Sequence, residues 1–212
     1  MKITKEQIQH VDNYLKNEGI KFWDVRLEMV DHLVSDMENY SGSADFQTVF
    51  RQSLINANWY KNLKEINVQS WKSTNKIYRK KHFTEMVNLV KQPKSLIGFV
   101  LFYLIFSRVT VVFPEVSETI SLIVLAAPIL ILIYESAKAW RKKLGRSVNM
   151  QYGLFYFSFG LIMINLPLEL LPKEYLNLLL PLIMTFYLLI MTAGYKVYRY
   201  AFNKALKLKH LL

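Results

Sequence analysis

Four long apolar runs beyond residue 94 restrict what this chain can fold into. The first, residues 95–113, reads SLIGFVLFYLIFSRVTVVF and contains a single ionisable side chain, Arg108. Three more follow at residues 117–134, 150–168 and 176–195. Each approaches the roughly 20 apolar residues that a helix needs to cross the hydrocarbon core of a bilayer. The sequence therefore predicts four transmembrane helices.

The charges between these runs predict the orientation of the helices. The connection at residues 135–151 contains five Lys and Arg, and the tail after residue 195 contains five more. The other two connections, 114–118 and 167–175, contain more acids than bases. Short loops rich in Lys and Arg stay on the cytosolic side. We therefore predict a multi-pass protein of the cytoplasmic (inner) membrane with both termini in the cytosol.

The first 94 residues are more polar, and their apolar side chains recur at helical spacing. Thr4 fits the N-cap of a first helix that ends at Gly19. Apolar residues three and four apart predict a second helix near residues 23–39 and a third that begins near Phe46. The N-terminal part is therefore predicted to be helical as well.

Charge divides this polar part into two segments. Residues 1–58 contain six bases and nine acids, whereas residues 59–94 contain nine bases and two acids. We therefore predict an all-α protein with four parts: an N-terminal cytosolic helical domain (1–58), a basic juxtamembrane helical segment (59–94), a four-helix transmembrane bundle (95–195) and a basic cytosolic tail (196–212).

Glu28 and His32 lie four residues apart on the second predicted helix, so that a carboxylate and an imidazole share one helical face. A metal ion could bind such a pair. The alternative is structural: nearby bases pair with the acids of this helix, and His32 packs or caps. The spacing alone is weak evidence, so the structural interpretation is favoured and no metal or other cofactor is predicted.

A cluster of bases at Arg79, Lys80 and Lys81 is flanked by aromatic side chains. Such a cluster could bind single-stranded nucleic acid through phosphate contacts and stacking. It also lies about a dozen residues before the first apolar run, where bases bind anionic headgroups and orient the helix. The membrane-surface interpretation is favoured.

Arg108 is unusual because a guanidinium at the centre of a bilayer costs about 2.5 to 3.5 kcal/mol on insertion scales. It lies five residues before the end of its run, so its side chain can extend to the outer headgroups. The alternative is a buried ion pair with Glu115, Glu118 or Glu169, which would form a polar feature at the outer mouth of the bundle.

Catalytic signatures are missing from the sequence. We find no phosphate-binding glycine loop, no HExxH and no GxSxG, and the chain has no cysteine that could act as a nucleophile. We therefore predict that the protein is not an enzyme.

Four short stretches near the N-terminus carry a family resemblance: VDNYL at 11–15, DVRLEMVDHL at 24–33, FQTVF at 46–50 and NLKEI at 62–66. With them, residues 10–66 resemble the N-terminal domain of HAAS-type proteins, helical modules on bacterial membrane proteins that are often encoded beside PadR-type repressors. The chain also resembles uncharacterised multipass proteins of Gram-negative bacteria. The resemblance implies a regulatory or accessory role and supplies no catalytic residues. It departs from the family where Asn56, Ala57 and Asn58 replace a glycine that often follows the third helix.

Two functions are compatible with this organisation. The favoured one is a regulatory or accessory protein whose N-terminal domain binds a protein partner, because a separate helical module is joined to a bundle without catalytic motifs. The alternative is a small oligomeric transporter or channel with Arg108 near its outer mouth. Membrane lipids are expected partners, nucleic acid is disfavoured, and a homo-oligomer is left open.

Overall fold

The computed structural model describes residues 2–42 and 44–210, apart from the side chains of residues 168, 173, 174, 176 and 177. These residues form nine α-helices and no strand, which confirms the predicted all-α fold. The helices are α1 (Lys5–Asn17), α2 (Trp23–Glu38), α3 (Phe46–Asn56), α4 (Leu63–Lys91), α5 (Pro93–Val112), α6 (Pro114–Arg141), α7 (Val148–Met163), α8 (Asn165–Leu170) and α9 (Lys173–Lys209).

The first three helices pack around one apolar core. The Thr4 hydroxyl accepts from the backbone N–H of Gln7, whose side chain accepts from the N–H of Thr4, so that the two close a capping box at the start of α1. Gly19 follows α1 with a φ of +99°, a conformation that glycine adopts without strain. The core includes Val11, Leu15, Leu33, Met37, Val49 and Leu54, and also Val148 from α7.

Asn58 makes the turn after α3. Its φ is +57°, and its backbone N–H donates to the Ile55 carbonyl at 2.9 Å. Asparagine tolerates this left-handed region better than most residues. It therefore allows the turn that follows α3 without a glycine.

Helix α4 packs against α7 and α9 along one side. That side carries Tyr78, His82 and Leu89, each of which is buried. The opposite side carries exposed residues such as Lys80. The basic segment predicted at 59–94 is thus mostly one continuous helix with a protein-facing side.

Within the part of the chain that the structure describes, three helices are long and apolar enough to cross a membrane: α5, α6 and most of α9, over Leu178–Lys209. Pro93 and Pro114 occupy the first turns of α5 and α6, where the missing N–H has no partner in the helix in any case. Pro128 and Pro181 lie inside continuous helices. The run predicted at 150–168 is divided between α7 and the short α8, and the predicted tail continues α9 as far as Lys209.

Glycines allow α7 and α9 to pack closely as an antiparallel pair. A Cβ placed on Gly153 would come within 2.5 Å of the Ala201 Cβ, and one on Gly160 within 2.5 Å of the Met191 sulfur. One placed on Gly194 would overlap the Tyr156 carbonyl oxygen. The small residues at this contact therefore let α7 and α9 approach each other closely.

The connection between α6 and α7 lies at the end of the molecule where α9 ends. The Lys209 ammonium donates to the carbonyls of Lys142 at 2.7 Å and Lys143 at 3.2 Å. The same connection contacts the start of α2, as described below. The N-terminal helices, this connection and the C-terminal end of α9 therefore lie together.

Candidate functional site

A buried carboxylate joins the N-terminal helices to the apolar helices. Asp24, the second residue of α2, is only 1% exposed. Its Oδ2 accepts from the Ser147 hydroxyl at 2.6 Å and from the Asn149 side-chain amide at 2.7 Å. It also accepts from the Asn149 backbone N–H at 3.1 Å, and Oδ1 accepts from that of Val148 at 3.0 Å. Four donors from one segment therefore meet a single carboxylate.

These donors belong to the N-terminus of α7. Ser147 is its N-cap, and the hydroxyl also accepts from the Met150 backbone N–H at 3.2 Å. The first N–H groups of a helix lack partners within the helix and carry partial positive charge, so they stabilise an anion. Asp24 supplies that anion from a distant part of the chain. This arrangement compensates the charge of a carboxylate that is removed from water.

Trp23 strengthens the same contact. Its indole N–H donates to the Gly145 carbonyl at 3.1 Å, and its backbone N–H donates to the Arg146 carbonyl at 3.2 Å. Arg146 has a φ of +56° and Lys143 one of +54°, so the connection between α6 and α7 turns sharply beside α2. Residues 23 and 24 together hold this connection and the start of α7.

Asn149 extends the contact to α4. Its side-chain oxygen accepts from the Tyr78 hydroxyl at 3.0 Å while its amide nitrogen donates to Asp24. Burial raises the pKa of Tyr78 well above its usual value, so the phenol keeps the proton that it donates. We refer to Asp24, Ser147, Asn149 and Tyr78 as the docking network. It connects α2, α4 and α7.

Three further polar contacts hold α4 on the pair α7 and α9. The Tyr156 hydroxyl donates to the Asn75 side chain at 2.8 Å. Lys196 pairs with Glu85 at 3.7 Å. The remaining contact joins His82 Nε2 to the Ile190 carbonyl at 3.3 Å. Because a carbonyl only accepts, this nitrogen carries the hydrogen. Burial lowers the pKa of His82, an effect that this hydrogen bond partly offsets.

Glu28 and His32 have different neighbours despite their spacing. Glu28 is exposed and lines a polar cavity of about 160 Å³ together with Asp24, Ser70 and Lys204. The His32 ring lies 5.3 Å from that of Trp59. Within residues 2–42 and 44–210, no group of three His, Cys, Asp or Glu side chains is placed to hold a metal ion.

The three bases of the predicted membrane-surface cluster lie on different sides of α4. Lys81 places its ammonium 3.9 Å from the centre of the Tyr200 ring, on α9. Arg79 lines a cavity between α4 and α7. Lys80 is exposed. A helix turns by about 100° per residue, which separates consecutive side chains in this way.

Arg108 is exposed near the end of α5. Across the part of the chain that the structure describes, its guanidinium forms no ion pair with Glu115, Glu118 or Glu169, which are exposed as well. The geometry therefore favours the extended side chain over the buried pair.

Sequence reasoning missed the docking network. Asp24 is one of several acids on the second predicted helix, and Tyr78 is one of the aromatic side chains that flank the bases, so the sequence predicts no special role for either. The one local signal is Ser147, which precedes an apolar run as an N-cap does. No local pattern indicates that the carboxylate at the start of α7 belongs to a residue more than 120 positions away.

Comparison of the chain with protein-family models, with curated proteins and with solved structures finds no match.

Proposed function

We propose that this chain is a regulatory or accessory protein of the cytoplasmic membrane, whose N-terminal helical domain binds a protein partner in the cytosol. The observation that carries the proposal is the docking network. It holds α2 directly on the N-terminus of α7, so a partner bound to the N-terminal helices would act on an apolar helix without a flexible linker between them. The HAAS resemblance points to the same role.

The proposal includes four membrane crossings. Three helices meet the length and composition of a span, and α7 with α8 would form the fourth. Together these two helices pack alongside α9. The contact runs from Ala201, which lies opposite Gly153, to Leu182, which lines the same cavity as Leu166. At 1.5 Å per residue this stretch of α9 is about 28 Å long, close to the roughly 30 Å of a bilayer core.

An even number of crossings also agrees with the contacts at one end of the molecule. The N-terminal helices and the end of α9 both meet the connection between α6 and α7, which is rich in bases. Four crossings place all three on one side, and the bases favour the cytosol. Reporter fusions after residues 116, 145, 172 and 212 are expected to report outside, inside, outside and inside.

The partner is tested by photo-crosslinking in the native cell. A photoreactive residue replaces Ile55 on α3, which is 47% exposed. The matched control replaces Leu130 on α6, which is 66% exposed on a helix proposed to face lipid. We expect a discrete protein adduct at position 55 and lipid adducts at position 130.

Two results would contradict the proposal. One is the absence of any protein adduct from position 55 and from neighbouring exposed positions of α3. The other is solute or ion flux in proteoliposomes that Arg108→Gln abolishes, since this would favour the transporter or channel. Either function could involve a homo-oligomer, which cross-linking between copies would detect.

A further inference from the structure

One stripe of α4 changes character along its length. Its six members are spaced three or four residues apart, so they follow one another on the same side of the helix. The half nearer α3 is basic, and the half nearer α5 is apolar: Lys72, Lys76 and Arg79, then Phe83, Met86 and Val90. All but Met86, which is half-buried, are exposed.

The middle of this stripe, at Arg79, Phe83 and Met86, lines a cavity against α7. The cavity measures about 400 Å³, and its lining includes Asn75 and Arg79 from the polar half of α4, Phe83 and Met86 from the apolar half, and Phe155 and Phe159 from α7. The two α7 rings lie 6.1 Å apart. The groove therefore has a cation near one end and mostly apolar surface elsewhere, with Asn75, His82 and Tyr156 as its other polar side chains.

Two groups that line the groove, Arg79 and Phe83, lack partners suited to them. In the described residues, the Arg79 guanidinium makes no hydrogen bond and no ion pair, whereas its neighbour Lys81 lies on the Tyr200 ring. Phe83 is 67% exposed although it is a large apolar side chain. A guanidinium without an anion beside an uncovered apolar groove is complementary to a molecule that has a phosphate and a hydrocarbon chain.

We infer that the groove between α4 and α7 binds one anionic phospholipid. The phosphate would lie at Arg79, and an acyl chain would lie along Phe83, Met86, Phe155 and Phe159. This inference rests on the proposed membrane location of the chain. Helix α4 leads through Gln92 directly into the apolar helix α5, so in that location the groove would lie beside the lipid. A free phosphate would leave the apolar part of the groove empty, so the lipid matches the whole site.

Native mass spectrometry of the full-length protein in mild detergent tests the site. The protein is titrated with phosphatidylglycerol and, separately, with phosphatidylcholine. Arg79→Gln is expected to weaken retention of phosphatidylglycerol about tenfold, which corresponds to the binding free energy of one charge-assisted contact. Lys80→Gln is the matched control: it removes an adjacent exposed charge outside the groove and is expected to change retention less than about twofold.

A second variant tests the hydrocarbon end. Phe83→Ser is expected to weaken retention of both lipids, because each has the same acyl chains. Glycerol 3-phosphate, which has the headgroup phosphate without chains, is expected not to displace bound phosphatidylglycerol. Unchanged thermal unfolding of the variants shows that the fold is intact.

Three results would overturn the site. They are equal losses from Arg79→Gln and Lys80→Gln, which indicate a diffuse surface effect, displacement by glycerol 3-phosphate, and tighter binding of a single-stranded oligonucleotide than of lipid. Alkaline washing of the source membranes distinguishes the two proposals. Protein that stays in the membrane while Arg79→Gln has no effect refutes the groove alone, whereas protein that is washed off refutes the membrane location as well.

Discussion

The pair α5 and α6 differs from the pair α7 and α9, although all four helices are apolar. Only 6% of the most apolar stretch of α5 and 17% of that of α6 is buried inside the chain, compared with 39% in α9. The pair α7 and α9 has glycines at its contact and receives α4 and the N-terminal helices on its flank. The comparison teaches that apolarity makes a helix a candidate span, whereas small residues and polar contacts determine which apolar helices pack closely together.

The largest expected effect comes from the Asp24 carboxylate of α2, which contacts the N-terminus of α7. Asp24→Ala leaves the four donors at the start of α7 without their acceptor, and we expect a loss of about 3 kcal/mol in the free energy of unfolding. Glu115→Ala is the matched control, because Glu115 is an exposed acid in the first turn of α6 and is expected to contribute less than about 0.5 kcal/mol. Thermal unfolding in detergent measures both losses. Equal losses would refute the stabilising contact between Asp24 and the N-terminus of α7.

Glycine substitutions compare the two pairs directly. In Gly194→Ala the new methyl overlaps the backbone of Tyr156 and Phe157, so α7 and α9 must separate, at a cost of about 2 kcal/mol. In Gly98→Ala on α5 the methyl meets nothing within 4 Å, and the better helix propensity of alanine makes it neutral or stabilising by up to about 1 kcal/mol. The unfolding temperature should therefore fall in Gly194→Ala and stay unchanged or rise in Gly98→Ala. A shift in the same direction would contradict the assignment of α7 and α9 as the close-packed pair.

The contact of α4 with α9 should depend on pH through His82. Burial lowers the pKa of His82 in the folded protein below its usual value of 6.5, so the unfolded chain binds the proton more readily. The contribution of His82 is therefore complete above about pH 6.5 and is lost as the pH falls towards the lower folded-state value. His82→Gln, which keeps a donor but binds no proton, should reduce the loss of stability between about pH 8 and pH 5.5. His32→Gln alters an exposed histidine and should leave that loss unchanged; if both variants behave alike, His82 is not its source.

The smallest effect is expected at Arg108 on α5. Because its side chain is exposed and forms no ion pair in the described part of the chain, Arg108→Leu should change stability in detergent by less than about 0.5 kcal/mol. A loss of roughly 3 to 5 kcal/mol would indicate a broken buried pair. In that case Glu→Gln at position 115, 118 or 169 should recover much of the loss in the double variant, which would identify the partner.

Local signals in the sequence determined most of the helical framework. The Thr4 capping box, the stop at Gly19 and the apolar runs that became α5, α6 and α9 depend on neighbouring residues, so they are visible without a fold. The sequence also indicates a close helix contact at the glycines of α7, since residues 153 and 160 share one face at helical spacing. The division of the third run into α7 and α8 was not predicted, because the apolar sequence continues across the break at Ile164.

Tertiary structure alone decided how the parts are joined. Asp24 meets Ser147 and Asn149, and His82 meets Ile190, across more than 100 residues of sequence. A carboxylate at the start of one helix looks like any exposed acid until another helix N-terminus is brought to it. The sequence likewise does not show which side of α4 faces protein, because basic and aromatic residues are the neighbours of Tyr78 and His82 along the chain. Burial and partner choice follow from contacts between distant segments, and no local pattern encodes them.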